Sequence, residues 1–311
     1  MSKEKRIFIT GASGFIGKNL LEYLREGGKK YKLFFPYHKE LDLMDTDKVR
    51  AFLKKNNINI VVHCANVGGS RKTNYDLDNV DIVQKNLKMF FNLAEGLRQS
   101  DFMIHIGTGA EYDKRHYLPK MREDYFGRYI PEDAYSFSKY ICSKFIEKSS
   151  NLIGLRLFGV FGKYEDYRFR FISNSIVKNL FGLPIVINQN VFFDYLYVDD
   201  LVKIIEYFIG NKVRYKFYNV ATSSTIDLLT IANKINKIAD KPSEIIIKNP
   251  GLNSQYSADN IRLRQELKGF DFTPFDIALR ELYNWYKDNI EKIDSQAVKE
   301  DEYIKYCKTK Y

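Results

Sequence analysis

The chain has 311 residues, of which 45% are hydrophobic and 28% charged, a composition that favours a globular protein with a large core. No apolar run approaches the ~20 residues that a bilayer span needs, so we expect no membrane partner. The net charge of +10 is spread along the chain without a basic-aromatic nucleic-acid signature, so we expect no nucleic-acid partner either.

The ends and the cysteines bear on the compartment. Residues 1–6 lead straight into an apolar run, without the pattern of a secretory signal. The three cysteines, Cys64, Cys142 and Cys307, are far apart and lack the spacing of metal ligands. We therefore expect reduced thiols, no bound metal and a cytoplasmic location.

The first structured segment predicts a dinucleotide site. Residues 6–10 form a short apolar strand, residues 11–17 read GASGFIG, and residues 18–26 have helical periodicity. In such a unit Gly11 allows the tight turn, Gly14 lets the backbone approach a pyrophosphate, and Gly17 lets helix and strand pack closely. The start of the helix then offers free N–H groups and a positive dipole end to the phosphates.

Strand-like runs alternate with helical stretches through the first half, which predicts a parallel sheet flanked by helices. The predicted strands are residues 6–10, 32–35, 60–63, 102–106 and 152–157, and the helices 18–26, 46–56, 80–99 and 135–149. We expect Asp45 or Thr46 to cap the second helix and Asp133 to cap the last.

The second half is less regular. Helical patterns cover residues 171–181, 198–209, 225–239 and 275–289, and strand patterns cover 185–187, 217–220 and 243–248. We therefore expect an α/β fold, a Rossmann-type doubly wound parallel sheet with a smaller C-terminal substrate lobe. The expected division is a cofactor domain of residues 1–165 with parts of 191–225, a substrate lobe of 166–190 and 226–290, and a charged tail of 291–311.

Two further features carry candidate chemistry. Tyr135 and Lys139 are four residues apart at a predicted helix start, so they share one face. A lysine ammonium near a phenol lowers the phenol's pKa, which suits a general acid or base, although an ordinary surface pair has the same spacing. Thr108 follows the strand at 102–106, where parallel sheets bind ligands, and either bonds a substrate oxygen or satisfies a local turn.

These features, in this order, resemble the extended branch of the short-chain dehydrogenase/reductase superfamily that acts on nucleotide sugars. The stretch TGASGFIG at 10–17 is similar to that branch's T-G-x-x-G-F-I-G, and VHCAN at 62–66 is similar to its Φ-H-x-A-A. Thr108 and Tyr112 match S-S-x-x-V-Y. In pattern the chain is most similar to 4-ketoreductases of the GDP-L-fucose synthase and dTDP-4-dehydrorhamnose reductase type.

Tyr135 and Lys139 match that branch's Y-x-x-x-K, and the resemblance implies their roles. Tyr135 would exchange a proton with the substrate hydroxyl or ketone, while Lys139 would bond the nicotinamide ribose and lower the tyrosine pKa. Thr108 would hold the reacting sugar oxygen. A hydride would pass between the sugar carbon and the nicotinamide.

The resemblance also implies the binding residues, a nucleotide-sugar substrate and a homodimer. Cofactor contacts are expected from the glycine turn, the loops after the second and third strands, and the catalytic helix, namely Gly11, Ser13, Gly14, Phe15, Ile16, Gly17, His38, Lys39, Asp42, Leu43, Cys64, Ala65, Asn66, Tyr135, Lys139 and Leu157. Substrate contacts are expected from Val67, Gly68, Gly109, Phe158, Gly159, Arg168 and Arg170.

The region after the second strand bears on the choice of cofactor. An acidic residue at that strand end would bond the adenosine ribose and indicate NAD, and none stands at the expected place. His38 and Lys39 follow instead, and Lys39 suits a 2′-phosphate, although a basic loop in a basic protein has the same composition. We expect NADP, with NAD possible.

The same resemblance narrows the reaction. Gly109 and Ala110 stand where 4,6-dehydratases carry Asp and Glu, which argues against elimination. The epimerising Cys of GDP-fucose synthases corresponds to Ala110, and their His acid falls near Arg170. We therefore expect a 4-ketoreductase without C3 and C5 epimerisation, serving surface polysaccharide synthesis. The alternatives are a C4 epimerase with tightly bound NAD, or a binding protein without turnover.

Overall fold

The computed structural model describes residues 4–28, 30–69 and 80–307. Strands and helices alternate through the first half: β1 (Arg6–Thr10), α1 (Phe15–Glu26), β2 (Lys32–Phe34), α2 (Thr46–Lys55), β3 (Ile60–His63), α3 (Val80–Gly96), β4 (Phe102–Thr108), α4 (Ala134–Lys148) and β5 (Leu152–Leu157).

Shorter strands and further helices make up the second half. They are β6 (Gly159–Phe161), α5 (Phe171–Leu180), β7 (Ile185–Asn190), β8 (Phe192–Phe193), β9 (Tyr195–Tyr197), α6 (Val198–Gly210), β10 (Phe217–Val220), β11 (Ile226–Asp227), α7 (Leu228–Ile238), β12 (Ile245–Leu252), α8 (Ile261–Glu266), α9 (Phe275–Asp288), α10 (Ser295–Glu300) and α11 (Glu302–Lys305).

Six parallel strands form the central sheet, in the order β10-β5-β4-β3-β1-β2. Its inner strands are apolar on both faces and almost wholly buried, as expected for a parallel sheet covered by helices. The strand order reverses between β1 and β3, so the carboxyl ends of these two strands form the crevice where such sheets bind ligands. The predicted α/β, Rossmann-type fold is confirmed.

The helix caps follow the sequence prediction, and two helices begin three residues away from their predicted start. Asp45 and Asp133 cap α2 and α4 by accepting bonds from the backbone N–H groups of Lys48 and Ser136. Helix α1 begins directly after Gly14, three residues earlier than expected, so Gly17 lies inside the helix. Helix α7 begins later than expected because residues 226–227 pair with β8 before the helix starts.

A second hydrophobic core lies between α5, α7, α9 and the two-stranded sheet of β7 and β12. Strands β6, β8, β9 and β11 were not predicted, since each has only two or three residues and pairs with a distant segment. Helix α8, which the sequence placed in the substrate lobe, packs against β10 instead, with Leu263 and Leu267 in the core of the main sheet.

The charged tail is more firmly docked than its composition suggests. Val298 and Tyr303 are buried in the second core, and the ammonium of the buried Lys178 pairs with Asp301. Residues 308–311 of the tail lie outside the described residues. Among the helices of the described ranges, none has the length and apolar character of a bilayer span.

Candidate active site

The glycine turn after β1 has the geometry of a phosphate cradle. Gly11 has a φ of +65°, and its carbonyl accepts a 3.0 Å hydrogen bond from the Gly14 amide. A Cβ on Gly11 would lie 2.7 Å from the Ala65 nitrogen, and a Cβ on Gly17 would collide with the Gly11 carbonyl. Gly14 caps α1 without a side chain, so the first N–H groups of the helix remain available to an anion.

The loop after β3 is held against this turn by buried polar side chains. The Thr10 hydroxyl contacts the His63 Nδ1 at 2.8 Å and accepts a bond from the Ala65 amide at 3.1 Å. The Asn86 side chain of α3 accepts from the Val67 amide and donates to the Val67 carbonyl, at 2.8 and 2.9 Å. The predicted cofactor segments at 11–17 and 64–66 therefore meet at the crevice.

Helix α4 brings Tyr135 and Lys139 to the same edge. The ring of Tyr135 lies against Gly69, where a Cβ would be 2.8 Å from the ring carbon that carries the hydroxyl. Lys139 is buried, and its ammonium donates a 2.8 Å bond to the Ile106 carbonyl of β4. Burial lowers the pKa of Lys139. Lys139 is therefore a fixed, desolvated group and not an ordinary surface lysine.

Thr108 ends β4 and is fixed by a capping box with Glu111. The Thr108 hydroxyl accepts from the Ala110 amide at 3.2 Å, while the Thr108 amide donates to the Glu111 carboxylate at 2.9 Å. The other oxygen of Glu111 accepts from the Ser143 hydroxyl of α4 at 2.6 Å and from the Arg156 Nε of β5 at 2.7 Å. One carboxylate thus sets the position of Thr108 relative to the helix that carries Tyr135.

Arg156 is the largest fully buried side chain in the described chain, and it lies beneath this carboxylate. Its guanidinium is 4.1 Å from the ring centroids of both Phe126 and Phe217. Its Nη1 also donates to the Tyr112 hydroxyl at 3.3 Å. A buried guanidinium needs a counter-charge, and Glu111, which is 0% exposed, supplies it.

Three predicted residues meet at Thr108, Leu157 from the expected cofactor contacts and Gly109 and Phe158 from the expected substrate contacts. Leu157 pairs with Thr108 across β4 and β5, and a Cβ on Gly109 would lie 2.7 Å from the Phe158 ring. Tyr256, which the sequence did not single out, is half-buried and comes from the segment after β12. Its hydroxyl oxygen would be 2.6 Å from a Cβ on Gly109. The site therefore has an aromatic wall beside the Tyr135, Lys139 and Thr108 cluster.

Other predicted residues lie farther out. His38 and Lys39 are exposed on the loop after β2, and His38 is 3.8 Å from the Asp42 carboxylate. Arg168 forms a two-pronged ion pair with Asp166, both bonds being 2.9 Å. Arg170 is exposed at the start of α5, where its charge acts on Tyr256. Among the described residues, no hydrogen bond joins these basic side chains to Thr108 or Lys139, although Arg170 lies near enough to lower the pKa of Tyr256.

The imidazoles and two of the three thiols are poor candidates for a proton shuttle. Burial lowers the pKa of His63 to about 3 and lowers that of His105 as well. His38 is exposed, and His116 stacks on Tyr129 with a ring separation of 3.7 Å. Burial raises the pKa of the Cys64 and Cys142 thiols to about 12, so both stay protonated.

Sequence reasoning missed Glu111, Arg156 and Tyr256. The Thr108-x-x-Glu111 spacing is that of a capping box, so the sequence did carry a signal for Glu111. Arg156 reads as one charged residue inside an apolar strand, and only the fold shows its partner. Tyr256 lies 148 residues after Thr108, and no local pattern connects them.

Comparisons with known proteins concern the family of the chain. The sequence profile of the NAD dependent epimerase/dehydratase family matches residues 7–221. GDP-L-fucose synthase from Dictyostelium discoideum is 22% identical over 326 residues, covering 93% of this chain and 98% of that protein. GDP-L-colitose synthase from Yersinia pseudotuberculosis is 29% identical over 111 residues, so this match spans only 35% of either chain.

The fold is shared with solved structures of low sequence identity. GDP-mannoheptose C4 reductase from Campylobacter jejuni, solved with NADP bound, superimposes with a TM-score of 0.77 at 19% identity, covering 92% of this chain and 99% of that one. This likeness shows a common fold across nearly the whole chain.

The buried ion pair leads to a stability prediction. Glu111→Ala leaves the Arg156 guanidinium without its counter-charge, so we expect a loss of about 3–5 kcal/mol in the free energy of unfolding. The matched control is Glu95→Ala, since Glu95 forms an exposed ion pair with Arg50 and should cost at most about 1 kcal/mol. Chemical denaturation measures both changes, and equal effects would contradict the assigned role of Glu111.

Proposed function

Because the chain belongs to the NAD dependent epimerase/dehydratase family, we propose that it is an NADP-dependent reductase of a nucleotide-linked 4-keto-deoxy sugar. The observation that carries the proposal is the convergence of Thr108, Tyr135 and Lys139 at the carboxyl edge of the sheet, next to a glycine turn. A relative named GDP-L-fucose synthase and a structural neighbour named as a C4 reductase support this choice.

The glycine turn, the loop after β3 and Lys139 would hold the cofactor, and they fit it. Substitution of Gly11 or Gly17 would fill the cradle, and the free N-terminus of α1 suits a pyrophosphate. When bound, the nicotinamide supplies the hydride.

The chain's own residues would then carry out the proton chemistry. Thr108 would hydrogen-bond the ketone oxygen, and Tyr135 would donate a proton to it as the alcohol forms. The buried Lys139 ammonium would favour the phenolate that remains, because Lys139 and Tyr135 share one face of α4. The hydrogen bond to the Ile106 carbonyl of β4 holds the ammonium in place. Reprotonation of Tyr135 would complete the cycle.

The second candidate is a C4 epimerase with tightly bound NAD, because the same Thr108, Tyr135 and Lys139 set would serve it. The deciding experiment assays the purified protein with 4-keto-6-deoxy sugars linked to GDP, dTDP, UDP or CDP. NADPH consumption with one of them supports the reductase. Bound NAD in the purified protein, with interconversion of C4 epimers and no NADPH consumption, supports the epimerase. We also propose that the protein is a cytoplasmic homodimer and that its product serves polysaccharide synthesis.

Tyr135→Phe removes only the hydroxyl that would transfer the proton. We expect kcat to fall by about 10²–10⁴-fold, while the affinity for NADPH changes little. Tyr140→Phe on the same helix is the control, since Tyr140 is buried on that helix and has no part in the proposed chemistry. Rapid kinetics and fluorescence titration give the two quantities, and a fully active Tyr135→Phe enzyme would refute the assignment.

Lys39→Ala tests the choice of cofactor. If Lys39 binds the 2′-phosphate, its removal costs one charge-assisted hydrogen bond of roughly 1.5–3 kcal/mol, so the Kd for NADPH should rise by about tenfold or more. The Kd for NADH should stay nearly constant. Lys55→Ala removes another exposed lysine and should alter neither value. An equal rise for both cofactors would show that Lys39 does not bind the 2′-phosphate.

The stereochemical course tests the absence of a shuttle at C3 and C5. Ala110 cannot move a proton. The three alternative proton carriers contact other residues, His63 with Thr10, His116 with Tyr129 and Tyr164 with Glu22. In heavy water, the product should therefore contain no carbon-bound deuterium at C3 or C5 above an enzyme-free control. Mass spectrometry and NMR measure this. Enzyme-dependent deuterium at either carbon would mean that the protein also epimerises its substrate.

A further inference from the structure

Tyr256 enters the candidate active site from a segment far along the chain. Its backbone is tied to the strand region before β9, since its amide donates to the Phe192 carbonyl at 2.9 Å and its carbonyl accepts from the Asp194 amide at 3.0 Å. Its ring packs on Phe158 with centroids 4.8 Å apart. The ring is therefore held from two sides, and its hydroxyl has a defined place.

That place is next to Thr108. The Tyr256 hydroxyl oxygen would lie 2.6 Å from a Cβ on Gly109, the residue that directly follows Thr108. Hydrogen bonding with Thr108 and Tyr117 lowers the pKa of Tyr256 and the charge of Tyr135 raises it, so these three side chains lie close to the Tyr256 hydroxyl. Burial raises the pKa of Tyr256 well above its usual value, so the phenol stays protonated and can act as a donor.

This placement limits the hydrogen bonds that the Thr108 hydroxyl can still form. A threonine hydroxyl has one hydrogen to donate and two lone pairs to accept. The Ala110 amide already donates to the Thr108 oxygen at 3.2 Å. A second donor leaves the Thr108 hydrogen as the only group of this hydroxyl that can reach a substrate, and fixes the direction in which it points.

We infer that Tyr256 is a positioning residue for the proposed reaction, whose hydroxyl donates to Thr108 and thereby aims the Thr108 proton at the reacting sugar oxygen. The role rests on the proposed function of Thr108 and extends it to a residue outside the 7–221 family match. This arrangement requires glycine at position 109, because any side chain there would occupy the space of the Tyr256 hydroxyl.

A double-mutant cycle tests whether Tyr256 acts through Thr108. We expect Tyr256→Phe to lower kcat about tenfold, the value of one hydrogen bond to Thr108, with the NADPH affinity unchanged. Thr108→Val should lower kcat further. In the Thr108→Val background, adding Tyr256→Phe should change kcat less than about twofold, because the hydroxyl it acts on is gone.

Tyr283→Phe is the matched control, since Tyr283 is buried in the second core and donates to Asn179 at 2.8 Å. The Tyr283→Phe variant should have a lower melting temperature than the wild type, without a change in kcat that KM does not share. Equal losses from Tyr256→Phe in both backgrounds would overturn the inference, as would an unchanged kcat in Tyr256→Phe.

The cycle also distinguishes failure of the inference from failure of the proposed function. It is run on whichever reaction the wild-type protein catalyses, C4 reduction or C4 epimerisation, because Thr108 serves both. If the wild-type protein catalyses neither, the proposed function fails. The cycle is then measured by calorimetry with GDP-mannose and GDP. A Tyr256→Phe loss that is confined to GDP-mannose and vanishes in Thr108→Val supports the inference, and any other pattern overturns it.

Discussion

The buried ion pair between Glu111 and Arg156 is the constraint on which the candidate site depends. Arg156 lies on an inner strand of the sheet, where a guanidinium without a counter-charge would be strongly destabilising. Glu111 supplies that charge and uses its remaining lone pairs on the Thr108 amide and the Ser143 hydroxyl. The end of β4 and the helix that carries Tyr135 and Lys139 are therefore held in one relative position by a single carboxylate.

A second set of contacts does the same for the cofactor side. Thr10 and Asn86 tie the loop after β3 to β1 and α3, so the segments that would line the nicotinamide cannot move independently. Asn86 also donates to the Ser138 hydroxyl of α4 at 3.0 Å, which connects this loop to the helix that carries Tyr135 and Lys139. The proposed cofactor and proton-transfer parts of the site thus share one buried polar framework.

The substrate side is built differently. Aromatic rings dominate there, with Phe158, Tyr117 and Phe193 each packed against the ring of Tyr256. The Tyr117 hydroxyl is buried beside that of Tyr256. Such an aromatic wall would suit one face of the proposed sugar ring.

The sequence by itself determined the α/β fold, the glycine turn, the helix caps at Asp45 and Asp133, and the nomination of Thr108, Tyr135 and Lys139. All of these depend on local signals, namely periodicity, glycine spacing, capping chemistry and a short motif. Each signal involves residues that lie close together in the sequence. The capping box of Thr108 and Glu111 belongs to the same class, although its partner Arg156 does not.

Only the tertiary structure decided which distant residues meet at the site. Glu111 and Arg156 are 45 residues apart in sequence, and Thr108 and Tyr256 are separated by more than twice that span. The two-residue strands β8 and β11 likewise exist only because they pair with each other across the chain. Such contacts have no period or motif, since the free energy that selects them comes from burying charge and aromatic surface together once the sheet has formed.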